Sequence, residues 1–191
     1  MWVIGNGEGR KHVDLSNLKG TKIGCNAICR DYDVDYLICV DRRMAKEALA
    51  LNYPGRIYTR QDWINEFSAY NNVTTVPELP YKGTTRPDEP FHWGSGPYAL
   101  LLACTLADEI NLIGFDLHSE TKFVNNIYKG TKHYNEETYR AVDPRYWIHQ
   151  IGKLFELYPN KTFKIYQNSN WVLPKAWIHP NVMVDKISII V

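Results

Sequence analysis

The sequence predicts an α/β fold: a single three-layer domain over residues 1–191, with a mainly parallel sheet and two long loops covering its site. Three observations carry this expectation. Short β-rich apolar runs alternate with helix-compatible stretches along the whole chain. The run DYLICVD (35 to 41) is apolar through its centre without alternation, as in a strand covered on both faces. Glycines follow the first apolar run directly, as WVIG passes into NGEG. A chain of 191 residues can bury about 70% of its unfolded surface, enough to fold without staples.

Taken in order, strands are expected at WVIG (2 to 5), TKIGCN (21 to 26), DYLICVD (35 to 41), RIYT (56 to 59) and NVTTVP (72 to 77). Helices fit 43 to 51 and 60 to 68, and a more strongly marked one 96 to 108. In that helix Ser95 is expected as the cap and Pro97 suits the first turn. Its nearly continuous apolar surface marks it as the buried helix. EINLIGFDL (109 to 117) reads as another central strand. DPRYWIHQIGKLFELY (143 to 158) reads as an amphipathic helix with Asp143 as N-cap and Pro144 first, facing Trp147, Ile151, Leu154 and Phe155 inward. TFKIYQ (162 to 167) is the next strand, and ISIIV (187 to 191) is expected as a late one.

Two connections are long. Residues 78 to 94 contain three prolines, and 118 to 141 lack periodicity. Loops beyond about 12 to 15 residues are usually functional or disordered. Tyr81, Phe91, His92 and Trp93 in the first, and Phe123, Tyr128, His133, Tyr134 and Tyr139 in the second, are atypical of disorder. Both loops are therefore expected to be ordered over a site. Their aromatics would also suit subunit contacts, which keeps a homo-oligomer open.

Composition excludes several partners. With 22 Lys+Arg against 21 Asp+Glu the formal charge is +1, too little for a polyanion-binding field, so nucleic acid is not expected. No apolar run approaches the roughly 18 residues of a membrane span. The opening MWVIGNGEGR lacks the pattern of a secretory leader, so a reducing cytoplasm is the expected compartment. Cys25, Cys29, Cys39 and Cys104 lie mostly in apolar stretches and read as core filler rather than zinc ligands.

The main site signal is Gly5-Asn6-Gly7-Glu8-Gly9-Arg10, directly after the first strand. Such glycines let the backbone turn tightly and present N–H groups to a phosphate. The spelling is not the dinucleotide fingerprint, because Arg10 stands where its third glycine would fall, and the P-loop spacing is absent as well. Asn6, Asn26 and Asp41 follow three successive strands, where ligands collect in an open parallel sheet. Each also has a plainer reading as turn chemistry or, for Asp41, a helix cap. His92-Trp93-Gly94-Ser95-Gly96 places Ser95 and Gly96 at a helix N-terminus, a second anion position. It is not a nucleophile elbow, because Ser95 is flanked immediately by Gly94 and Gly96. Asp31-Tyr32-Asp33-Val34-Asp35 contains D-x-D twice, but at the amino end of its strand, so it reads as a solvated turn.

The order GNG, Gly-Cys-Asn, VDYLICVD and GSGPYALLLACTLADEINLIGFDL resembles the bacterial sialyltransferases of glycosyltransferase family 42. It is also similar to the wider group of Rossmann-like proteins that includes 6-hydroxymethylpterin pyrophosphokinases. The resemblance covers most of the chain on short motifs, with IYQNSN (165 to 170) echoing a late Pro-Asn-Ser. It implies a metal-independent glycosyltransferase with a CMP-sugar donor and a glycan or small-molecule acceptor, and no cofactor. By that resemblance Asn6 with the backbone of Gly5 and Gly7 would contact phosphate or ribose. Asn26 would contact the donor, Ser95 with Gly96 the phosphate or sugar carboxylate, and Asn168 with Ser169 the cytosine or its ribose. Asp116 and His118 end the G-x-D strand beside them. Tyr128 and Tyr134 would steady the leaving phosphate, helped by Arg10 or Lys129, and His133 or His149 would be the base. Departures from the pattern are Glu8-Gly9 for Pro-Ser, Gly94 for Thr, Leu117 for Phe, and His118 where a tyrosine is expected. The alternatives are a pterin pyrophosphokinase-like diphosphotransferase, needing ATP and Mg²⁺ with Asp41 or Asp116 as metal ligands, and a non-catalytic nucleotide-binding module.

Overall fold

A computed structural model describes residues 1–118 and 122–190. Among them eight strands form one sheet: β1 (Trp2–Ile4), β2 (Lys22–Cys25), β3 (Tyr36–Ile38), β4 (Arg56–Thr59), β5 (Val73–Thr75), β6 (Glu109–Ile113), β7 (Thr162–Gln167) and β8 (Val182–Lys186). Their spatial order is β5-β4-β3-β2-β1-β6-β7-β8. Every pairing is parallel, so the sheet is wholly rather than mainly parallel. The chain winds outward from β1 to β5, returns across the sheet, and continues from β6 to β8 on β1's other side. The neighbours β1 and β6 are thus the topological switch point, where an open parallel sheet forms its ligand crevice.

Alternation along the short strands divides two cores. Val3, Ile23 and Ile38 face one core with helices α2 (Ser95–Leu106) and α3 (Arg145–Leu157). Trp2, Ile4 and Leu37 face the other with α1 (Arg42–Ala50), which packs Met44, Ala45 and Ala48. This makes three layers. Helix α2 buries Pro97 through Cys104 without interruption, as expected of the central helix. In α3 Ile151, Leu154 and Phe155 are buried, Phe155 standing 4.7 Å from Phe163 and edge-on to Trp177. Asp143 Oδ1 accepts from Arg145 N, and Pro144 occupies the cap position.

Two expected elements differ. Residues 60 to 68 form a turn and a single 3-10 turn, Ile64–Phe67, rather than a helix. Tertiary contacts take over the side chains there: Trp63 Nε1 donates to Val40 O at 3.1 Å, and Arg60 lies 5.0 Å over the Trp63 ring. The last strand lies at Val182–Lys186 instead of 187 to 191. Its place beside β7 is fixed by the Lys164–Asp185 ion pair and by Asn181, whose amide donates to the carbonyls of Phe155 and Tyr158. Ile187–Ile189 is a 3-10 turn, and Val191 lies outside the described residues. The carboxylates of Asp31, Asp33 and Asp35 sit in an exposed turn, as expected. All four cysteines are free thiols, three of them buried. Among the described residues no helix is long and apolar enough to cross a membrane.

Candidate functional site

A cleft of about 310 Å³ opens at the carboxyl ends of β1, β2, β3 and β6, over the switch point. Its floor is made by two interlocked strand ends. After β1 the turn Gly5-Asn6-Gly7 runs against Gly114 at the end of β6, with Gly5 N donating to Ile113 O and Gly7 N to Gly114 O. A Cβ on Gly5 would stand 2.3 Å from Gly114 O, and one on Gly7 would stand 2.4 Å from Asp116 Oδ2. Gly114 itself has φ +73°, a left-handed conformation that L side chains rarely adopt. The glycines are therefore required by the close approach of two backbones. The phosphate cradle expected of them is already occupied by protein acceptors: Glu8 N donates to Asn125 Oδ1 at 2.7 Å and Gly9 N to Asp116 Oδ2 at 2.6 Å.

Arg10 is buried and turned back on this turn, its Nε donating to Gly5 O at 2.6 Å and an Nη to Asn6 Oδ1 at 3.1 Å. It holds the turn's shape from behind and is absent from the cleft lining. Asn6 in turn donates to Cys25 O at 2.9 Å, tying β1 to β2.

The opposite wall is the start of α2. Gly94, Ser95, Gly96 and Pro97 line it, and the first-turn N–H groups of a helix have no intrahelical acceptor. Ser95 is the first helical residue rather than the cap. Its hydroxyl donates to Asn26 Oδ1 at 2.9 Å and accepts from Val40 N at 3.3 Å, bolting α2 to the ends of β2 and β3. Asn26 adopts φ +50°, which turns the chain out of β2 at this point. Asp41 stands on the rim as N-cap of α1, its carboxylate engaged by Arg43 N and the Arg43 guanidinium. Those contacts hold its carboxyl below the ordinary range, against the effect of burial. Its plainer reading as a cap is thus realised, and it reaches the cleft as well.

Asp116 is the charged group of the floor. It is 7% exposed, and its Oδ1 has no hydrogen-bond partner among the described residues. Burial pushes its carboxyl up from the ordinary value, against Gly9 N–H, the Asn125 amide and the Arg10 guanidinium; Glu8 adds to the rise. A carboxyl whose folded value is raised favours folding below its unfolded value, about pH 4, and that contribution is lost as pH rises through the folded value. Ionisation of the side chain as pH rises therefore weakens the fold. Asp116→Asn keeps an oxygen for Gly9 N–H and removes the charge. It is expected to raise the melting temperature at pH 7, with the gain vanishing by about pH 4. Thermal unfolding at the two pH values checks this; a lower melting temperature at pH 7 refutes it.

No family model, curated protein or solved structure matches the chain.

Of the residues singled out by sequence, the structure brings Gly5, Asn6, Gly7, Asn26, Asp41, Ser95, Gly96 and Asp116 into one cleft. The four chemical candidates stand elsewhere. Tyr128 and Tyr134 pack against each other, with ring centroids 5.8 Å apart, under the Arg30 guanidinium, and their hydroxyls are buried without partners among the described residues. Burial raises both phenols, Tyr134 to about 12. His133, at φ +70°, points Nε2 to Glu47 at 3.5 Å, the same carboxylate that Arg30 grips through two nitrogens. Arg30 also donates to Thr131 Oγ1 and Lys132 O, so this cluster fastens the second long loop onto α1. His149 lies on α3, 2.7 Å from buried Asp88. His118, Asn168 and Ser169 are exposed and do not line the cleft. Lys129 pairs with Glu8 at 2.8 Å.

Sequence reasoning did not single out Asn125 and Asn126, which carry the second loop into the cleft, or Phe115 and Trp147, which wall it. The adjacent pair of amides in an aromatic loop was the available signal for the first two. The apolar periodicity of α3 points Trp147 inward, whereas Ile148 makes the core contact of that turn and Trp147 lines the cleft. Among the described residues no group of three or more His, Cys, Asp or Glu side chains could hold a metal ion.

Proposed function

We propose that the chain is a metal-independent transferase acting on a nucleotide-activated sugar, most like a CMP-sialic acid-dependent sialyltransferase, with this cleft as its donor site. One observation carries the reading. A buried twelve-residue helix, α2, begins at a cleft also lined by Asn26 and Asn126, whose side-chain NH₂ groups have no acceptor among the described residues, whereas the amides of Asn6 and Asn125 are engaged within the protein. Free N–H groups at a helix start suit a phosphate, and side-chain NH₂ donors suit the acceptor atoms of a base or sugar. The anion contact rests on Ser95 and Gly96, since Pro97 has no N–H and the glycine turn after β1 is already satisfied. Transfer also needs a group to take the acceptor's proton. The oxygen acids lining the cleft are Asp41 and Asp116, whereas burial pushes the Cys25 thiol up to about 12, too high for the task.

Calorimetric titration of the full chain with CMP and CMP-sialic acid tests the proposal. Saturable binding that survives EDTA is the expected result, and absence of binding by any cytidine nucleotide at millimolar concentration removes it. The diphosphotransferase reading draws on the presence of both Asp41 and Asp116 in the one cleft. It requires instead that ATP binding appear only with Mg²⁺.

A further inference from the structure

A second cavity, of about 910 Å³, lies at the carboxyl ends of β4 and β5, under the first long loop. It neighbours the donor cleft on the same sheet edge. The start of α2 separates the two: Gly94 to Pro97 line the cleft, and Tyr98 lines the cavity. None of the residues singled out by sequence as catalytic or binding lines it.

Its lining combines three aromatic rings with planar polar side chains. Phe91 is 65% exposed, with the Arg60 guanidinium 4.3 Å from its centroid. A large ring left this open beside a cavity is a ready platform for an apolar ligand face. Tyr81 and Tyr98 supply the other two rings, their hydroxyls turned to Asp88 and Pro90 O.

Charge narrows the ligand. Arg60 and Lys82 are outnumbered by Asp62, Glu78, Asp88 and Glu89. Arg60 is bound to Asp62 through two nitrogens. The wall therefore holds a surplus of carboxylates and no uncommitted guanidinium, which opposes a phosphate or carboxylate ligand and suits hydroxyl groups, which pair with carboxylates, amides and guanidinium alike. A pyranose offers this combination, with an apolar C–H face for Phe91 and a rim of hydroxyls.

We propose that this cavity is a second ligand site, for a neutral, hydroxyl-rich saccharide stacked on Phe91. Its role as the acceptor site rests on the transferase reading above; its existence as a saccharide site does not. The two cavities share one sheet edge, on either side of the first turn of α2.

The test is binding to the full chain by calorimetry, with saturation-transfer NMR to report which sugar protons touch the protein. The probes are lactose, maltose and N-acetyllactosamine, with glucuronate as the anionic comparison and CMP titrated into the same samples. Saturable binding of at least one neutral disaccharide is expected, with glucuronate weaker. Phe91→Ala, an exposed position where folding is not at stake, is expected to weaken that binding by about fivefold or more, the worth of one aromatic contact. No binding by any of the three disaccharides, tighter binding of glucuronate, or an unchanged affinity in Phe91→Ala each overturns the inference. Saccharide binding without CMP binding upholds the cavity assignment and removes the nucleotide-sugar reading. CMP binding without saccharide binding does the reverse.

Discussion

Gly5→Ala is expected to destabilise the chain by about 3 kcal/mol or more, lowering its melting temperature by about 6–12 °C. The new methyl carbon would lie 2.3 Å from Gly114 O and 3.0 Å from Gly114 C. Both are backbone atoms, so no side-chain rotation relieves the overlap. They can move only by parting β1 from β6, which breaks the Gly5 N to Ile113 O and Gly7 N to Gly114 O hydrogen bonds at the centre of the sheet. The displaced turn would also pull Arg10 from Gly5 O, leaving a buried guanidinium short of an acceptor. Thermal unfolding followed by far-ultraviolet circular dichroism measures the loss. A melting temperature within a degree or so of the unmodified chain would show that the strand ends are not locked as described.

Asp88→Ala is expected to cost about 2 kcal/mol for a different reason, the dismantling of a polar cluster built around a buried carboxylate. The Asp88 carboxylate accepts from Thr85 N at 3.1 Å, Thr85 Oγ1 at 2.5 Å and Tyr81 OH at 3.1 Å, and it meets His149 Nε2 at 2.7 Å. Alanine removes the acceptor these four groups share and unties the first long loop from α3. Burial alone would raise this carboxyl, but the bonds from Thr85, His149 and Tyr81 together hold it well below the usual range. A lowered carboxyl stabilises the fold above its unfolded value, about pH 4, and the contribution fades as pH falls through the lower folded value. The unmodified chain should therefore lose stability more steeply below about pH 4 than Asp88→Ala does. Denaturant melts at neutral and acid pH check both the offset and its narrowing; parallel curves would show that the carboxylate is not held by this network.

Much of the fold was legible because parallel strands covered on both faces announce themselves as short apolar runs. RIYT and TFKIYQ occupy the expected residues, and the other strands are trimmed by one to four residues, mostly at their carboxyl ends. The 60 to 68 helix was misread because Trp63 and Arg60 serve contacts with Val40 and Phe91 that no periodicity expresses. The last strand was misplaced because ISIIV is the more apolar segment, whereas an ion pair and an Asn cap set the register of VMVDK.

The site was legible as a place rather than as a mechanism. Parallel topology delivers Asn6, Asn26, Asp41, Ser95 and Asp116 to one sheet edge, so position along the strands was enough to find them. The hydrogen-bond state of the glycine turn was not, because Gly7 and Gly9 read identically whether their N–H groups face a phosphate or, as here, Gly114 O and Asp116 Oδ2. Nor was the fate of His133 and His149, each of which has found a carboxylate distant in sequence, Glu47 and Asp88.

The central place of β1 bears on how the molecule comes together in time. Its second neighbour is β6, so the Gly5–Gly114 contact closes a loop of more than a hundred residues before the sheet is continuous. The entropy of that closure is spent before the contacts it brings can repay it, the circumstance in which chains fold slowly. Until residue 114 arrives, β1 presents an apolar edge, and the turn after it has nothing to lean on. The cleft floor is thus expected to form late in folding, so the collision that Gly5→Ala introduces would fall on the step at which an incomplete chain is most exposed to wrong partners.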